Sequence, residues 1–198
     1  LKKLEEKPGY SALRTDSLLR SYRLLEAQVV NNSLLRQDNY ITINRGENDG
    51  VRPEMGVVCG TGVVGIVYLT APHYSIVMPV LNSKSNISCR LRKNGYFGYL
   101  NWDGGNPLYA WMNDVPRYAK IKNGDVVETS GFSSVFPEGL FIGKVNMVTD
   151  SKDGLSYRIK VHLGTDFARL HDVCVIMSPD QSELDSLSEQ LKKKSKKS

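Results

Sequence analysis

The sequence predicts a mainly β chain of two small β-barrel domains, preceded by a short helical segment and succeeded by a disordered C-terminal tail. Three observations lead there. Apolar and polar residues alternate with period two over many short stretches. Turn signals built from Gly, Asn and Asp separate those stretches. Their number, about eleven, exceeds the roughly six to eight strands of one small barrel.

Residues 1–26 differ from the rest of the chain. They are charged, and Leu18, Tyr22, Leu25 and Val29 fall at helical spacing, which predicts a short helix over Ser17–Leu25. This segment is read as a helical linker, too short for a coiled coil by itself but able to be the end of one. From Ala27 onward the period becomes two. Ile41 and Ile43 share one face of Tyr40–Asn44, and Ile159, Val161 and Leu163 alternate with Arg158, Lys160 and His162. Further strands are predicted at 57–59, 63–69, 76–81, 87–91, 96–102, 109–112, 126–129, 140–147 and 173–177. The seam near Asn82–Asn86 divides a first barrel domain (27–84) from a second (85–177), with an approximate boundary and strands free to be shared. Residues 178–198 have few large apolar side chains and are read as a lysine-rich, disordered tail.

Net charge is +5, but Lys192, Lys193, Lys194, Lys196 and Lys197 account for all of it. The remainder balances 21 basic against 21 acidic residues, so a nucleic-acid-binding face is not indicated. No apolar run approaches the roughly 20 residues of a membrane-spanning helix. Cys59, Cys89 and Cys174 lie in apolar, strand-like runs without metal-ligand spacing and read as small buried hydrophobes. His73, His162 and His171 lack the short spacing of a helical metal pair.

Three motifs invite a chemical reading. Gly60-Thr61-Gly62-Val63-Val64-Gly65 has the form GxGxxG, but it runs into strand sequence where a dinucleotide site needs a helix. The glycines read better as a hairpin turn, with Gly65 a bulge or close-contact point. Leu69-Thr70-Ala71-Pro72-His73, with Asp103 and then Ser130 or Ser133 further on, gives the order of a chymotrypsin-like triad, and such enzymes are also double barrels. Against it, Val135 stands where the nucleophile loop needs Gly, and Asp103 and Ser133 are too close in sequence to span most of a second barrel. A chymotrypsin-like serine hydrolase is therefore the alternative rather than the leading reading. In Tyr96–Trp102, alternation puts Tyr96, Gly98, Leu100 and Trp102 on one side and Phe97, Tyr99 and Asn101 on the other. One side is expected to be core; the other is either amphipathic cover or an anchor for a partner.

Several segments, in order, resemble the rod-shape-determining MreC family. They are Asn39–Val51 with Gly46, Asn48, Asp49 and Gly50; Met55–Val58; Gly62–Val67 with Gly65; Tyr74–Val77; Gly124–Gly131 with Asp125 and Ser130; Phe136–Val145 with Pro137, Gly139 and Gly143; and Asp166–Leu170. These positions read as structural determinants: Asn48-Asp49-Gly50 and Phe136–Gly139 as turns, Gly143 as a bulge or close backbone contact. The resemblance implies a non-enzymatic scaffold that self-associates and organises cell-wall elongation with MreD, a penicillin-binding transpeptidase and the RodA polymerase. It implies two barrels outside the inner membrane, in the periplasmic space, with a membrane helix and most of a coiled coil upstream of Leu1. Unpaired edges of partly open barrels would add to self-association. No metal, cofactor or nucleic acid is implied. Dialysis against a chelator is accordingly expected to leave the melting temperature unchanged, and a fall of several degrees in a thermal scan would reveal a structural ion.

Overall fold

The structure, a computed structural model, describes residues 18–133, 135–177 and 181–195. In chain order the elements are twelve strands and one helix: β1 (Arg23–Asn32), β2 (Ile41–Ile43), β3 (Gly56–Cys59), β4 (Gly62–Thr70), β5 (Ser75–Pro79), β6 (Ile87–Leu91), β7 (Phe97–Asn101), β8 (Tyr109–Pro116), β9 (Val126–Thr129), β10 (Phe141–Asp150), β11 (Ser156–Leu163), β12 (Asp172–Met177) and α1 (Gln181–Ser195). Each of the strands expected from period-two alternation is present. No helix among the described residues is long and apolar enough to cross a membrane.

The strands close into two six-stranded barrels, ordered β1-β12-β3-β4-β5-β2 and β10-β11-β8-β7-β6-β9. Alternation along each strand fills the interiors. Ala27, Ile41, Ile43, Val57, Val67, Val77 and Val175 pack the first barrel, and Leu91, Leu100, Met112, Val127, Ile159 and Val161 the second. Closure leaves no free strand edge in either barrel, so the expected contribution of open edges to self-association is corrected: contacts between copies must come from side-chain faces.

Three further expectations are corrected. The helix over Ser17–Leu25 is absent from its described part beyond a single turn at Leu18–Leu19. β1 begins at Arg23, because pairing with β12 from Arg23↔Met177 to Gln28↔Asp172 overrides the local spacing. The division at 84/85 does not describe the strands either. β12 lies within 85–177 yet closes the first barrel, so the second barrel, β6 to β11, is an insertion between β5 and β12. Finally, the tail is helical over Gln181–Ser195 rather than disordered; Leu184, Leu187 and Leu191 recur at helical spacing among Glu, Gln and Lys, all good helix formers.

Where the chain leaves the first barrel, Asn39 and Asn82 are fully buried and donate their side-chain amides to each other's surroundings, Asn39 to the Leu81 carbonyl and Asn82 to the Asn39 carbonyl, both at 2.8 Å. The barrels also touch side to side. The ring of Phe136, in the β9–β10 loop, fills the space a Cβ on Gly56 would need, about 2.6 Å away. Thr165 donates to the Val63 carbonyl at 2.8 Å.

Inside the second barrel wall, Glu128 is fully buried. Arg90 donates through Nε (3.0 Å) and Nη2 (2.8 Å) to its Oε1, and Arg92 Nε donates to Oε2 at 2.5 Å. Arg90 also reaches Glu138 of the β9–β10 loop. The strands set this geometry, since Arg90 pairs directly with Glu128 between β6 and β9. A carboxylate held by two guanidinium groups is satisfied, but removing it strands buried positive charge. Glu128→Ala is expected to destabilise by roughly 3–5 kcal/mol. A Cβ on Gly143 would run into the His162 carbonyl oxygen, and one on Gly65 into that of Met78. Gly143→Val and Gly65→Val are expected to cost about 1–3 kcal/mol, or to prevent folding; urea titration monitored by circular dichroism measures all three.

Candidate partner-binding surface

The outer wall of the second barrel carries the main concentration of exposed aromatic side chains. On β7, Gly98 and Leu100 turn inward, so Phe97 and Tyr99 must turn outward, and both are nearly half exposed. Phe132, from the loop after β9, is 66% exposed and tilts against Phe97 with ring centroids 4.2 Å apart. Asn101 pairs with Trp111 on β8, and Trp111 with Lys160 on β11. These registers extend the band sideways. The Arg158 guanidinium lies 3.8 Å over the Trp111 ring, and Lys160 Nζ 4.5 Å over Tyr109, whose ring also meets His162. Such stacking holds long cationic side chains flat against the barrel and fixes their heads. The result is an apolar patch of Phe97, Tyr99 and Phe132 beside an ordered row of aromatics and cations. Sequence alternation put Phe97 and Tyr99 on one side of the strand without telling which side is core, and Phe132 joins them only through the β9–β10 loop.

The positions that carry the family resemblance lie elsewhere. Gly46, Asn48, Asp49 and Gly50 form the turn between β2 and β3: the Gly46 N–H donates to Asp49 Oδ2 at 3.0 Å, Asn48 N–H to the Pro72 carbonyl, and Gly50 takes φ +87°. Gly65 sits in β4, and Gly143 in β10. Gly124 and Asp125 shape the turn before β9, where Asp125 Oδ2 accepts from the Lys122 N–H at 2.9 Å. Ser130 and Gly131 come directly after β9. Phe136, Pro137 and Gly139 form the loop to β10, tied down by Thr129 Oγ1 donating to the Pro137 carbonyl at 2.6 Å. None of these residues belongs to the aromatic band.

The triad candidates are not brought together. His73 is exposed in the β4–β5 loop of the first barrel. Asp103 is on the second barrel, where its carboxylate accepts from Arg158 at 3.1 Å. The Ser130 hydroxyl shares a 2.7 Å hydrogen bond with Ser88, and Ser133 is exposed in the β9–β10 loop. Gly60–Gly62 is the hairpin turn between β3 and β4. Among the described residues, no three His, Cys, Asp or Glu side chains stand where they could hold a metal.

Cys89 is fully buried, and burial pushes its thiol well above the ordinary range. Contrary to the reading of all three cysteines as buried, Cys59 and Cys174 are only half buried. They line a cavity of about 460 Å³ with Leu19, Leu24, Glu26 and Asp172. Its walls come from β1, β3 and β12, which meet only on closure, so no local sequence pattern announces it.

Two closed barrels joined side to side, with the triad candidates scattered between them, define a structural scaffold. Residues 29–177 match the family model described as rod shape-determining protein MreC, barrel core, and the chain belongs to the MreC family. It is 30% identical over 177 residues to the cell shape-determining protein MreC of Listeria monocytogenes, covering 88% of this chain and 60% of that protein. The chain thus spans about three fifths of this curated relative. A solved Listeria MreC structure superposes with a TM-score of 0.73 at 30% identity, over 82% of this chain and 81% of that one. Two more distant structures share the fold. One is the major periplasmic domain of the cell shape-determining filament MreC (TM-score 0.66, 21% identity, 78% of this chain and 95% of that one). The other is a complex between penicillin-binding protein PBP2 and MreC from Helicobacter pylori (0.59, 16%, 79% and 100%). The family is a structural one without enzymatic activity, which removes the serine-hydrolase alternative. His73→Ala, Asp103→Ala and Ser133→Ala are each expected to shift stability by no more than about 0.5 kcal/mol and to leave cell-shape complementation intact. A folded His73→Ala protein that fails to complement would contradict the scaffold assignment.

Proposed function

We propose that this chain is the extracytoplasmic, non-enzymatic scaffold of a bacterial cell-wall elongation machinery, controlling cell shape by self-association and by binding cell-wall synthesis proteins. The penicillin-binding transpeptidase is the partner assigned to the aromatic band, with MreD and the RodA polymerase in the same assembly. A membrane helix in a part of the protein N-terminal to Leu1 tethers it to the inner membrane. The observation that carries this reading is the exposed cluster of Phe97, Tyr99 and Phe132 on a rigid, edgeless barrel. Aromatic side chains are the usual anchors of protein interfaces, and here they are held without a core to fill. The Helicobacter MreC complex with PBP2 supports the partner class, and the periplasmic filament-forming MreC supports location and self-association.

The test is binding of the transpeptidase ectodomain by biolayer interferometry. Phe97→Ala/Phe132→Ala is expected to weaken it by roughly 30-fold, the equivalent of about 2 kcal/mol, while the circular dichroism spectrum and melting temperature stay as in the parent. Unchanged affinity in the double variant would remove the band from the interface.

A further inference from the structure

The chain's charge is not spread over its surface. Residues 1–23 contain six basic and three acidic side chains, and residues 181–198 contain five lysines and three acids. Between them, residues 24–180 carry fifteen of each sign and cancel. All of the net +5 therefore belongs to the two terminal segments.

Closure of the first barrel brings those segments to one place. Arg23 pairs directly with Met177, so the chain reaches β1 and leaves β12 at the same pole. The connections to the second barrel are at the other pole, where Asn32 donates to the Phe167 carbonyl at 2.8 Å and Asn39 to that of Leu81. Helix α1 starts just beyond Met177 and is about 22 Å long at 1.5 Å per residue. Its Leu187 and Leu191 are exposed, as are Lys192, Lys193 and Lys194 in its last turn. Lys196 and Lys197 come next in the sequence. In the helical repeat, Leu187 and Leu191 share one narrow stripe, and Lys194 flanks it. A leucine stripe beside a lysine cluster is the composition of a segment that lies on an anionic bilayer, with its apolar face at the acyl boundary and its cations at the phosphates.

We propose that α1 and its lysine cluster bind the surface of an anionic phospholipid membrane. The inference rests on the membrane-tethered reading for its geometry, because the pole that carries α1 also receives the N-terminal segment through which the tether runs. It does not rest on that reading for its charge. A tether alone leaves the barrels free to swing. A second contact by α1 at the same pole would fix the orientation of the first barrel against the bilayer.

The experiment is co-sedimentation of the chain with vesicles, which needs no upstream helix and so does not depend on the tether. At about 50 mM salt the chain is expected to bind phosphatidylcholine vesicles containing about 30% phosphatidylglycerol, and not pure phosphatidylcholine. Replacing the five lysines by Gln should lower the partition coefficient at least about tenfold, since each lysine near an anionic surface contributes roughly a fivefold factor. Leu187→Ser/Leu191→Ser should weaken binding with the lysines intact. Failure of the parent to bind anionic vesicles, equal binding by the five-Gln variant, or binding to soluble polyphosphate but not to vesicles would each overturn the proposal.

Discussion

The pairing of β1 with β12 is the constraint on which the molecule depends. Six consecutive registered pairs join strands separated by the whole of the second barrel, and without them the first barrel is an open sheet with two bare edges. This one ladder turns the second barrel into an insertion, creates the cavity beside Cys59 and Cys174, and places both terminal segments at one pole. It also forces the two connections to the second barrel to run side by side, where the buried Asn39 and Asn82 amides satisfy the backbone carbonyls of the crossing.

The second barrel solves a different problem. It is contiguous in sequence, so closure comes easily, but its wall must hold a loop, Gly131–Leu140, that reaches across to the first barrel. The buried Glu128 does this through Arg90, which clamps both Glu128 in the wall and Glu138 in the loop. From that anchored loop Phe136 packs on Gly56 of the first barrel and Phe132 stands out beside Phe97. One ionic cluster thereby positions both the joint between the barrels and part of the exposed aromatic face.

How much of the molecule can be read from the sequence depends on the range of the forces involved. Strands β2 to β12 were legible because period-two alternation is local and the turns between them carry Gly, Asn or Asp. Gly50 was legible as a turn residue for the same reason. β1 was not, since Leu18, Tyr22, Leu25 and Val29 suit a helix until a distant partner, Asp172–Met177, imposes a strand. The assignment of β12 to the first barrel was hidden likewise: nothing in Val173–Met177 says which sheet it joins. Helix α1 is hidden by composition, since few large apolar residues suggest disorder while their three- and four-residue spacing suits a helix. At the aromatic face, alternation separated the two sides of β7 but not which of them is core, nor whether the other is cover or anchor, and Phe132 depended on a loop held by distant charges.

The inserted topology has a consequence for how the protein is made. Synthesis delivers β1 through β5 first, and the strand that closes them last. At roughly 5–20 residues per second, the interval between Asn32 and Met177 is on the order of ten seconds. During that time the second barrel can complete itself, while the first waits as a five-stranded sheet with β1 and β3 unpaired on the sides that β12 will fill. The growing chain thus exposes a valine-rich interior and two sticky edges for long enough to meet other chains. A truncation that spares every residue of the second barrel but removes β12 would leave the first barrel open between β1 and β3 permanently.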